Sequence, residues 1–262
     1  MTDPLFDLTG RRVLLTGAGG ALGSVMARAF GERGAHVAVH DLSPERVAPV
    51  VEAIQAAGGQ AVAVVGDVST AQASADVVRQ GADALGGLDV LLNGVGINRR
   101  KPMEEVTPED FDAIVSVNLR AIYFASQAAH AVMRPQGKGC IVNLSSLSAR
   151  FSFNTISVYS ATKAGVSSLT RSCAREWAAD VVKTWIDGEF NGAQPTPQCN
   201  GALQLFGQSA GFLNTQRWRD EGIVCFAHSR TECFYVLRAG CLLDRNSARN
   251  KSRLHTAVQH AR

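Results

Sequence analysis

Short, continuously apolar runs alternate with longer stretches of helical periodicity through residues 1–180 of this chain. The apolar runs are RVLLT (12–16), HVAVH (36–40), AVAVV (61–65), DVLLN (89–93) and CIVNLS (140–145). Runs of this length without alternating polar residues are typical of parallel strands covered by helices on both faces. Strands that alternate with helices form βαβ units. The pattern therefore predicts an α/β fold: a doubly wound parallel sheet of the Rossmann type, in a single domain.

Helix start and stop signals indicate the same order of elements. Two of the predicted helices begin with a capping hydroxyl before a proline, in Ser43-Pro44-Glu45 and in Thr107-Pro108-Glu109-Asp110. The acidic residues of these first turns complement the helix dipole. Glycine pairs at 58–59 and 86–87 are suited to end two of the helices.

The first predicted strand runs directly into the glycine-rich turn TGAGGALG (16–23), and a helical pattern follows it. Glycines at such a turn let the backbone approach a pyrophosphate, whose charge lies beside the free N–H groups of a helix N-terminus. Glycine-rich turns also serve as ordinary tight turns, so the position between strand and helix is what favours a nucleotide site. The predicted cofactor contacts in the turn are Thr16, Gly17, Gly20, Leu22 and Gly23.

Further cofactor candidates follow the next three strands. Asp41 ends the second strand, where a carboxylate accepts hydrogen bonds from ribose hydroxyls and repels the extra phosphate of NADP. Because the glycine turn also contains no arginine, NAD is favoured over NADP. Asp67 and Val68 follow the third strand and Asn93 and Gly94 follow the fourth, with a helix cap and a tight turn as the alternative interpretations. All these residues lie at the carboxyl ends of parallel strands, where open sheets bind ligands.

Candidate catalytic residues follow the fifth strand. Ser146 comes directly after it, and Tyr159 and Lys163 lie further along, in a helical pattern. A four-residue spacing on a helix places the tyrosine and the lysine on one face. A nearby ammonium group lowers the pKa of a tyrosine from about 10 towards neutral pH, which makes Tyr159 a candidate general acid and base. Ser146 is suited to hold the substrate oxygen whose charge changes as hydride moves; a surface Tyr–Lys pair is the alternative.

Together these residues resemble the short-chain dehydrogenase/reductase family over about residues 7–180. Thr16-Gly17-x-x-x-Ala21-x-Gly23 is similar to the nucleotide turn of the family, with alanine where glycine is commoner, and Asn93-Gly94-Val95-Gly96 is similar to its Asn-Asn-Ala-Gly. The resemblance implies a catalytic tetrad of Asn118, Ser146, Tyr159 and Lys163. It also implies that Asn118 supports a water-linked proton relay to Lys163, which in turn holds the nicotinamide ribose. Without the resemblance, Asn118 is simply a polar residue within the helical run SVNLRAIYF.

The segment after the fourth strand bears on the substrate. GINRRKPM (96–103) is similar to the corresponding segment of the gluconate 5-dehydrogenases and deoxygluconate dehydrogenases of the family. Arg99 and Arg100 are suited to meet the carboxylate of a sugar acid, because guanidinium binds carboxylate bidentately. An exposed basic loop is the alternative for these arginines. For the substrate, the alternative is another ketone, such as a 3-oxoacyl chain or a steroid.

Composition restricts the partners and the compartment. The cysteines and histidines have no metal-ligand spacing, so no metal site is expected. The sequence has neither a signal peptide nor an apolar run long enough to span a membrane, so a cytoplasmic protein without membrane contact is expected. The basic C-terminus carries no recognisable nucleic-acid motif. The family resemblance implies a homodimer or homotetramer that forms through helices near 111–133 and 158–179.

The regular pattern ends near residue 180. Residues 1–180 carry 16 Lys+Arg against 17 Asp+Glu, whereas residues 181–262 carry 10 against 6 and four of the six cysteines. VVKTWI (181–186) is a candidate sixth strand, FYVLRAGCLL (234–243) is a candidate seventh, and the final basic stretch is expected to be partly disordered. The segment 181–262 is either a diverged C-terminus or a frameshifted or foreign one, and the abrupt change of composition favours the second explanation. The expected division is thus a nucleotide-binding and catalytic core, 1–180, with an atypical segment, 181–262.

The sequence as a whole predicts an oxidoreductase that uses NAD to interconvert a secondary alcohol and a ketone. A different class of function also stays open. A chain with an altered C-terminus is compatible with a nucleotide-binding product that lacks catalysis.

Overall fold

The computed structural model describes residues 7–180, 182–187, 223–227 and 234–238. The strands are β1 (Arg12–Thr16), β2 (His36–Asp41), β3 (Gln60–Val65), β4 (Val90–Asn93), β5 (Gly139–Leu144), β6 (Val182–Asp187), β7 (Ile223–Ala227) and β8 (Phe234–Arg238). The helices are α1 (Ala21–Glu32), α2 (Pro44–Ala56), α3 (Ala71–Leu85), α4 (Pro108–Val115), α5 (Ala121–Met133) and α6 (Ser157–Glu176). The five predicted core strands all form, each within one residue of its predicted bounds.

Six strands form one sheet in the order β3-β2-β1-β4-β5-β6, and every neighbouring pair is parallel. This order confirms the doubly wound fold, whose ligand site lies where the direction of winding reverses. The reversal falls at β1, which pairs with β2 on one side and with β4 on the other. The carboxyl ends of β1 and β4 therefore flank the crevice at which open sheets of this kind bind ligands.

Apolar side chains cover both faces of the sheet, as the continuous apolar runs predict. Val13 and Leu15 pack in one core cluster with residues of α1 and α2, whereas Leu14 packs in a second cluster with residues of α3 and α5. Successive side chains of a strand point to opposite faces, so β1 contributes to both clusters. This double burial holds the strand ends, and hence the site, on a rigid scaffold.

The predicted helix signals are confirmed at α4, where Thr107 and Asp110 form a capping box. The Thr107 hydroxyl accepts from the Asp110 backbone N–H, and the Asp110 carboxylate accepts from the Thr107 N–H. At α2 the prediction holds only in part: Ser43 occupies the N-cap and Pro44 the first turn, but the Ser43 hydroxyl makes no capping hydrogen bond. Gly58 and Gly86 both adopt positive φ at helix ends, as predicted for glycine stop signals.

The C-terminal strand candidates have different outcomes. β6 lies beside β5 in the main sheet, so VVKTWI does supply a sixth strand. The prediction that FYVLRAGCLL adds a seventh strand to that sheet is wrong, because β8 pairs antiparallel with β7 in a separate two-stranded sheet. The predictions for 188–222 and for the basic end after 238 lie outside the described residues.

Candidate active site

A cavity of about 350 Å³ lies at the carboxyl end of the sheet, within the size range of ligand pockets. Its described lining comes from the glycine turn, the segment after β4, the end of β5 and the start of α6. The predicted residues in this lining are Leu22, Gly94, Arg100, Ser146, Tyr159 and Lys163. The other predicted residues lie around the cavity or beneath it.

Two positions of the glycine turn, Gly17 and Gly23, leave no room for a side chain. Gly17 has a φ of +74°, and a Cβ there would lie 3.0 Å from the backbone of Gly94. A Cβ on Gly23 would lie 2.1 Å from the carbonyl oxygen of Gly17. The turn therefore depends on glycine at both positions, and it brings the backbone after β1 against the backbone after β4.

The N-terminus of α1 suits a pyrophosphate. Gly20 occupies the N-cap, no side chain caps the helix, and its first turn contains no acidic residue. The first N–H groups of a helix need a partner, and phosphate oxygens supply one with the charge that the helix dipole favours. The residues that would hold a dinucleotide here are thus backbone groups of the predicted turn.

Asp41 is 7% exposed, and three groups surround its carboxylate at the end of β2. One oxygen accepts from the Gly19 N–H at 3.0 Å, and the other accepts from the Leu42 N–H at 2.8 Å. Arg46, from the first turn of α2, places its Nε 2.6 Å from the same carboxylate. The glycine turn lacks arginine, as the sequence indicates, but the fold nevertheless brings Arg46 to the carboxylate of Asp41.

The other strand-end candidates are bonded within the protein. Asp67 accepts from the Ser69 N–H at 2.9 Å and from the Ser69 hydroxyl at 2.5 Å. These contacts form a local turn before α3, whose N-cap is Thr70 and not Asp67. These hydrogen bonds lower the pKa of Asp67. Val68 packs in the second core cluster. Both residues stay predictions as cofactor contacts.

The fourth strand ends in a buried polar network. The Asn93 side chain donates to Asn143 on β5 at 2.8 Å and to Ser126 on α5 at 3.2 Å. The Gly94 N–H lies 3.1 Å from the Thr16 carbonyl oxygen and 3.2 Å from its hydroxyl. The side chain of Asn93 thus ties strands and helix together, whereas Gly94 and Thr16 form the close approach at the crevice.

Three predicted catalytic side chains meet in the cavity. Lys163 is nearly fully buried; its Nζ donates to the Leu144 carbonyl oxygen at 2.7 Å and lies 5.7 Å from the centroid of the Tyr159 ring. Ser146 accepts hydrogen bonds from the backbone N–H of Ser148 at 3.1 Å and from its hydroxyl at 3.0 Å. A cation, a phenol and a hydroxyl therefore line the same wall, as acid–base chemistry on an alcohol requires.

Asn118 lies below the cavity in a π-helical turn, Ser116–Arg120, which joins α4 to α5. Its side chain is fully buried and bonds both backbone groups of Ile97: Oδ1 accepts from the N–H at 2.8 Å, and Nδ2 donates to the carbonyl oxygen at 2.9 Å. Nδ2 also lies 3.4 Å from the Thr162 hydroxyl. π turns are frequent at functional sites, and this one holds the segment after β4 against α6.

The two arginines of the segment after β4 have different surroundings. Arg99 binds Asp110 at 3.0 Å, and Lys101 binds the other oxygen of the same carboxylate at 2.5 Å. The hydrogen bonds from Lys101 and Arg99 hold the pKa of Asp110 well below its usual range. Arg100 lines the cavity, beside Asn98. Of the predicted pair, only Arg100 lines the cavity.

Sequence reasoning missed several residues around the site. The sequence does not identify Arg46, because nothing in it shows that α2 starts against Asp41. Ser148 was missed, although the pattern Ser-x-Ser after a strand is a signal that could have found it. Phe153 and Ile156 line the cavity, and Thr155 between them has a φ of +65°, which is strained for a β-branched residue.

The described part of the chain also bears on metal binding and on membrane spanning. Among the described residues, no group of three or more His, Cys, Asp or Glu is placed to hold a metal ion. No helix in the same part of the chain is long and apolar enough to cross a membrane.

A dinucleotide-type turn beside groups for proton transfer is the arrangement of a nucleotide-dependent oxidoreductase, and the fold and site assign the chain to this class. A family model of short chain dehydrogenases matches residues 11–186. The chain belongs to the short-chain dehydrogenase/reductase family, whose members use NAD(P) and act on CH–OH groups. The match includes β6, so it continues beyond the boundary that the sequence indicates near residue 180.

The similar proteins named below align with 67–69% of this chain. The gluconate 5-dehydrogenase of Gluconobacter oxydans is 35% identical over 68% of this chain and 70% of its own length. The 5-keto-D-gluconate 5-reductase of Escherichia coli is 34% identical, with coverages of 67% and 69%. A crystal structure of a gluconate 5-dehydrogenase from Burkholderia cenocepacia, in complex with NADP and tartrate, has a TM-score of 0.66 and 31% identity over 69% of this chain and 71% of that one.

Proposed function

We propose that this protein uses NAD to interconvert a secondary alcohol and a ketone, with a sugar acid such as gluconate as substrate. The observation that carries the proposal is that Ser146, Tyr159 and Lys163 line one cavity beside the glycine turn. Ser146 follows β5, whereas Tyr159 and Lys163 share one face of α6. The meeting of these side chains at the strand ends matches the chemistry of the family.

Bound nicotinamide supplies the carbon that exchanges hydride with the substrate. In oxidation, Tyr159 takes the hydroxyl proton of the alcohol as a general base, and in reduction it returns the proton to the ketone oxygen. Ser146 donates a hydrogen bond to that oxygen, whose negative charge changes during the reaction. The Lys163 ammonium favours the phenolate form of Tyr159 and holds the nicotinamide ribose, while Asn118 supports the proton relay to Lys163.

Arg100 and the named relatives support the sugar-acid substrate. Arg100 lines the same cavity as Ser146, and a guanidinium group at that position suits a carboxylate on the substrate. Arg99 is engaged with Asp110 and takes a lesser part, fixing the segment that carries Arg100. Two of the similar proteins act, by their names, on gluconate or 5-keto-D-gluconate.

One observation favours a second candidate substrate. Apolar side chains make up much of the cavity lining, among them Ile97, Leu147, Phe153 and Ile156. Apolar walls suit a 3-oxoacyl chain or a steroid better than a polyhydroxylated acid. A ketone of that kind is therefore the alternative for the same catalytic groups.

The cofactor preference rests on Asp41. Its carboxylate suits the two ribose hydroxyls of NAD and repels the phosphate of NADP. Arg46 opposes this preference, because its side chain is 53% exposed and pairs with the same carboxylate. The positive charge of Arg46 therefore weakens the repulsion between Asp41 and the phosphate of NADP. We propose NAD as the preferred cofactor with NADP still accepted, in keeping with the NADP bound by a similar gluconate 5-dehydrogenase.

Tyr159→Phe is the variant that tests the function. It is expected to lower turnover roughly a hundred- to ten-thousand-fold, the usual contribution of a general acid–base, while NADH still binds. Oxidation of gluconate-type acids and reduction of 3-oxoacyl and steroid ketones, each followed by NADH absorbance, compares the substrate classes. Tyr123→Phe, on the exposed face of α5, is the matched control and should keep full activity.

Two outcomes would contradict the proposal. Equal turnover of the wild type and of Tyr159→Phe would refute the catalytic assignment. Cofactor binding without turnover of any substrate would favour the nucleotide-binding, inactive product of an altered gene. The homodimer or homotetramer is part of the proposal, supported by the exposure of Phe111 on one of the helices expected to carry it, and light scattering measures it.

A further inference from the structure

The Ser146 hydroxyl receives two hydrogen bonds from a single residue, Ser148. The backbone N–H of Ser148 lies 3.1 Å from the Ser146 Oγ, and its hydroxyl donates to the same atom at 3.0 Å. Both residues are buried, and both line the cavity with Tyr159. The first contact caps the short 3₁₀ turn Leu147–Ala149, so the turn does not require the second.

The second contact changes what the Ser146 hydroxyl can do. A serine oxygen has two acceptor lone pairs and one O–H donor. With both lone pairs occupied by Ser148, the oxygen has no remaining capacity to accept a hydrogen bond. Its proton must then point away from Ser148, and the oxygen can act on a substrate only as a donor.

We propose that Ser148 is a positioning residue that fixes the Ser146 hydroxyl as a hydrogen-bond donor towards the substrate oxygen. This inference rests on the proposed alcohol–ketone function. A donor at that point stabilises negative charge on the oxygen and does not compete with the substrate for the proton of Tyr159. Without the Ser148 hydroxyl, the Ser146 proton is free to rotate, because one lone pair becomes available to other donors.

The double-mutant cycle of Ser148→Ala and Ser146→Ala separates positioning from a structural role. Ser148→Ala is expected to lower kcat about three- to tenfold, the range of one ordinary hydrogen bond, with KM changed less than twofold. In the Ser146→Ala background the same change should lower kcat no further, since residues that act through one group are not additive. Ser148→Cys keeps the shape with a weak donor, and it should behave like the alanine variant.

The control is Ser172→Ala, which removes a serine hydroxyl from the exposed side of α6, where it donates to the Ser168 carbonyl oxygen. It should leave kcat unchanged. An equal loss from Ser148→Ala in both backgrounds would indicate a structural role and overturn the positioning proposal, as would an unchanged kcat. Turnover that survives Tyr159→Phe would instead refute the proposed function itself, so the two failures are distinguishable.

Discussion

Asn118→Ala should destabilise the protein and impair the site together, because its side chain joins two elements of the site. Oδ1 and Nδ2 bond the backbone N–H and carbonyl oxygen of Ile97, at 2.8 Å and 2.9 Å. Alanine would leave both backbone groups without these partners. The segment after β4 would then be free to move relative to α6, which carries Tyr159 and Lys163.

The expected loss can be estimated from these contacts. A typical hydrogen bond contributes about 1 kcal/mol net, and a buried group left unsatisfied costs about 1–3 kcal/mol. Ile97 is 37% exposed, so water can reach its backbone in part after the change and the lower end of that range applies. Two such bonds, with the longer contact to Thr162 as a minor addition, give a loss of about 2–3 kcal/mol in the free energy of unfolding.

Urea denaturation measures the loss, and turnover by NADH absorbance measures the effect on the site. Asn118→Asp tests the geometry, because a carboxylate keeps the acceptor for the Ile97 N–H but has no donor for its carbonyl oxygen. That variant should be at least as unstable as Asn118→Ala. Gln72→Ala is the control: it removes a side-chain amide that bonds Asp76 on an exposed face, and it should cost less than about 0.5 kcal/mol.

A destabilisation by Asn118→Ala that is no larger than that of Gln72→Ala would refute this reasoning. The two measurements also distinguish the structural role of Asn118 from its role in the proton relay. If the side chain only supported the proton relay, turnover would fall while the free energy of unfolding stayed the same.

Two further predictions concern the cofactor and the acid stability. Asp41→Asn removes the charge that repels a phosphate while Arg46 remains, so the ratio of kcat/KM for NADP to that for NAD should rise about tenfold; an unchanged ratio would remove Asp41 from cofactor selection. Asp89 directly precedes β4, at the amino end of the parallel strands. Burial raises its pKa, but hydrogen bonds from Arg12 and Lys138 outweigh this effect and hold the pKa well below its usual range. The ionised Asp89 therefore contributes fully to the free energy of unfolding above about pH 4, the pKa of an aspartate in the unfolded chain. This contribution is lost as the pH falls through the lower pKa of the folded state. Asp89→Asn should lower the free energy of unfolding by about 3 kcal/mol at pH 7 without changing kcat. Urea denaturation at several pH values tests this. If wild type and variant lost the same free energy of unfolding between pH 7 and pH 3, the prediction would be contradicted.

The sequence predicts the core of the fold because the signals that define it are local. A buried parallel strand needs a continuous apolar run, so the order of apolar residues alone predicts β1 to β5. The meeting of Thr16, Gly94 and Ser146 follows from one rule, that the carboxyl ends of parallel strands share an edge. No long-range contact had to be known to predict either result.

The missed features depend on contacts between distant elements. Arg46 reaches Asp41 because α2 starts against the glycine turn, where a Cβ on Gly19 would lie 2.7 Å from the Arg46 carbonyl oxygen. Arg99 turns to Asp110 because α4 packs beside the segment after β4. A single π turn at Asn118 shifts the helical periodicity too little to be seen over five residues.

The C-terminal boundary is the point at which the structure changes the interpretation most. The sequence suggests that a foreign segment after residue 180 would leave β5 as an edge strand. The structure instead pairs β5 with β6 along the whole of β5, from Gly139 with Val182 to Leu144 with Asp187. Leu144 is also the residue whose carbonyl oxygen holds Lys163. The division of the chain at residue 180 stays a prediction, but the strand just beyond it supports the end of β5 to which the Lys163 ammonium group is bonded.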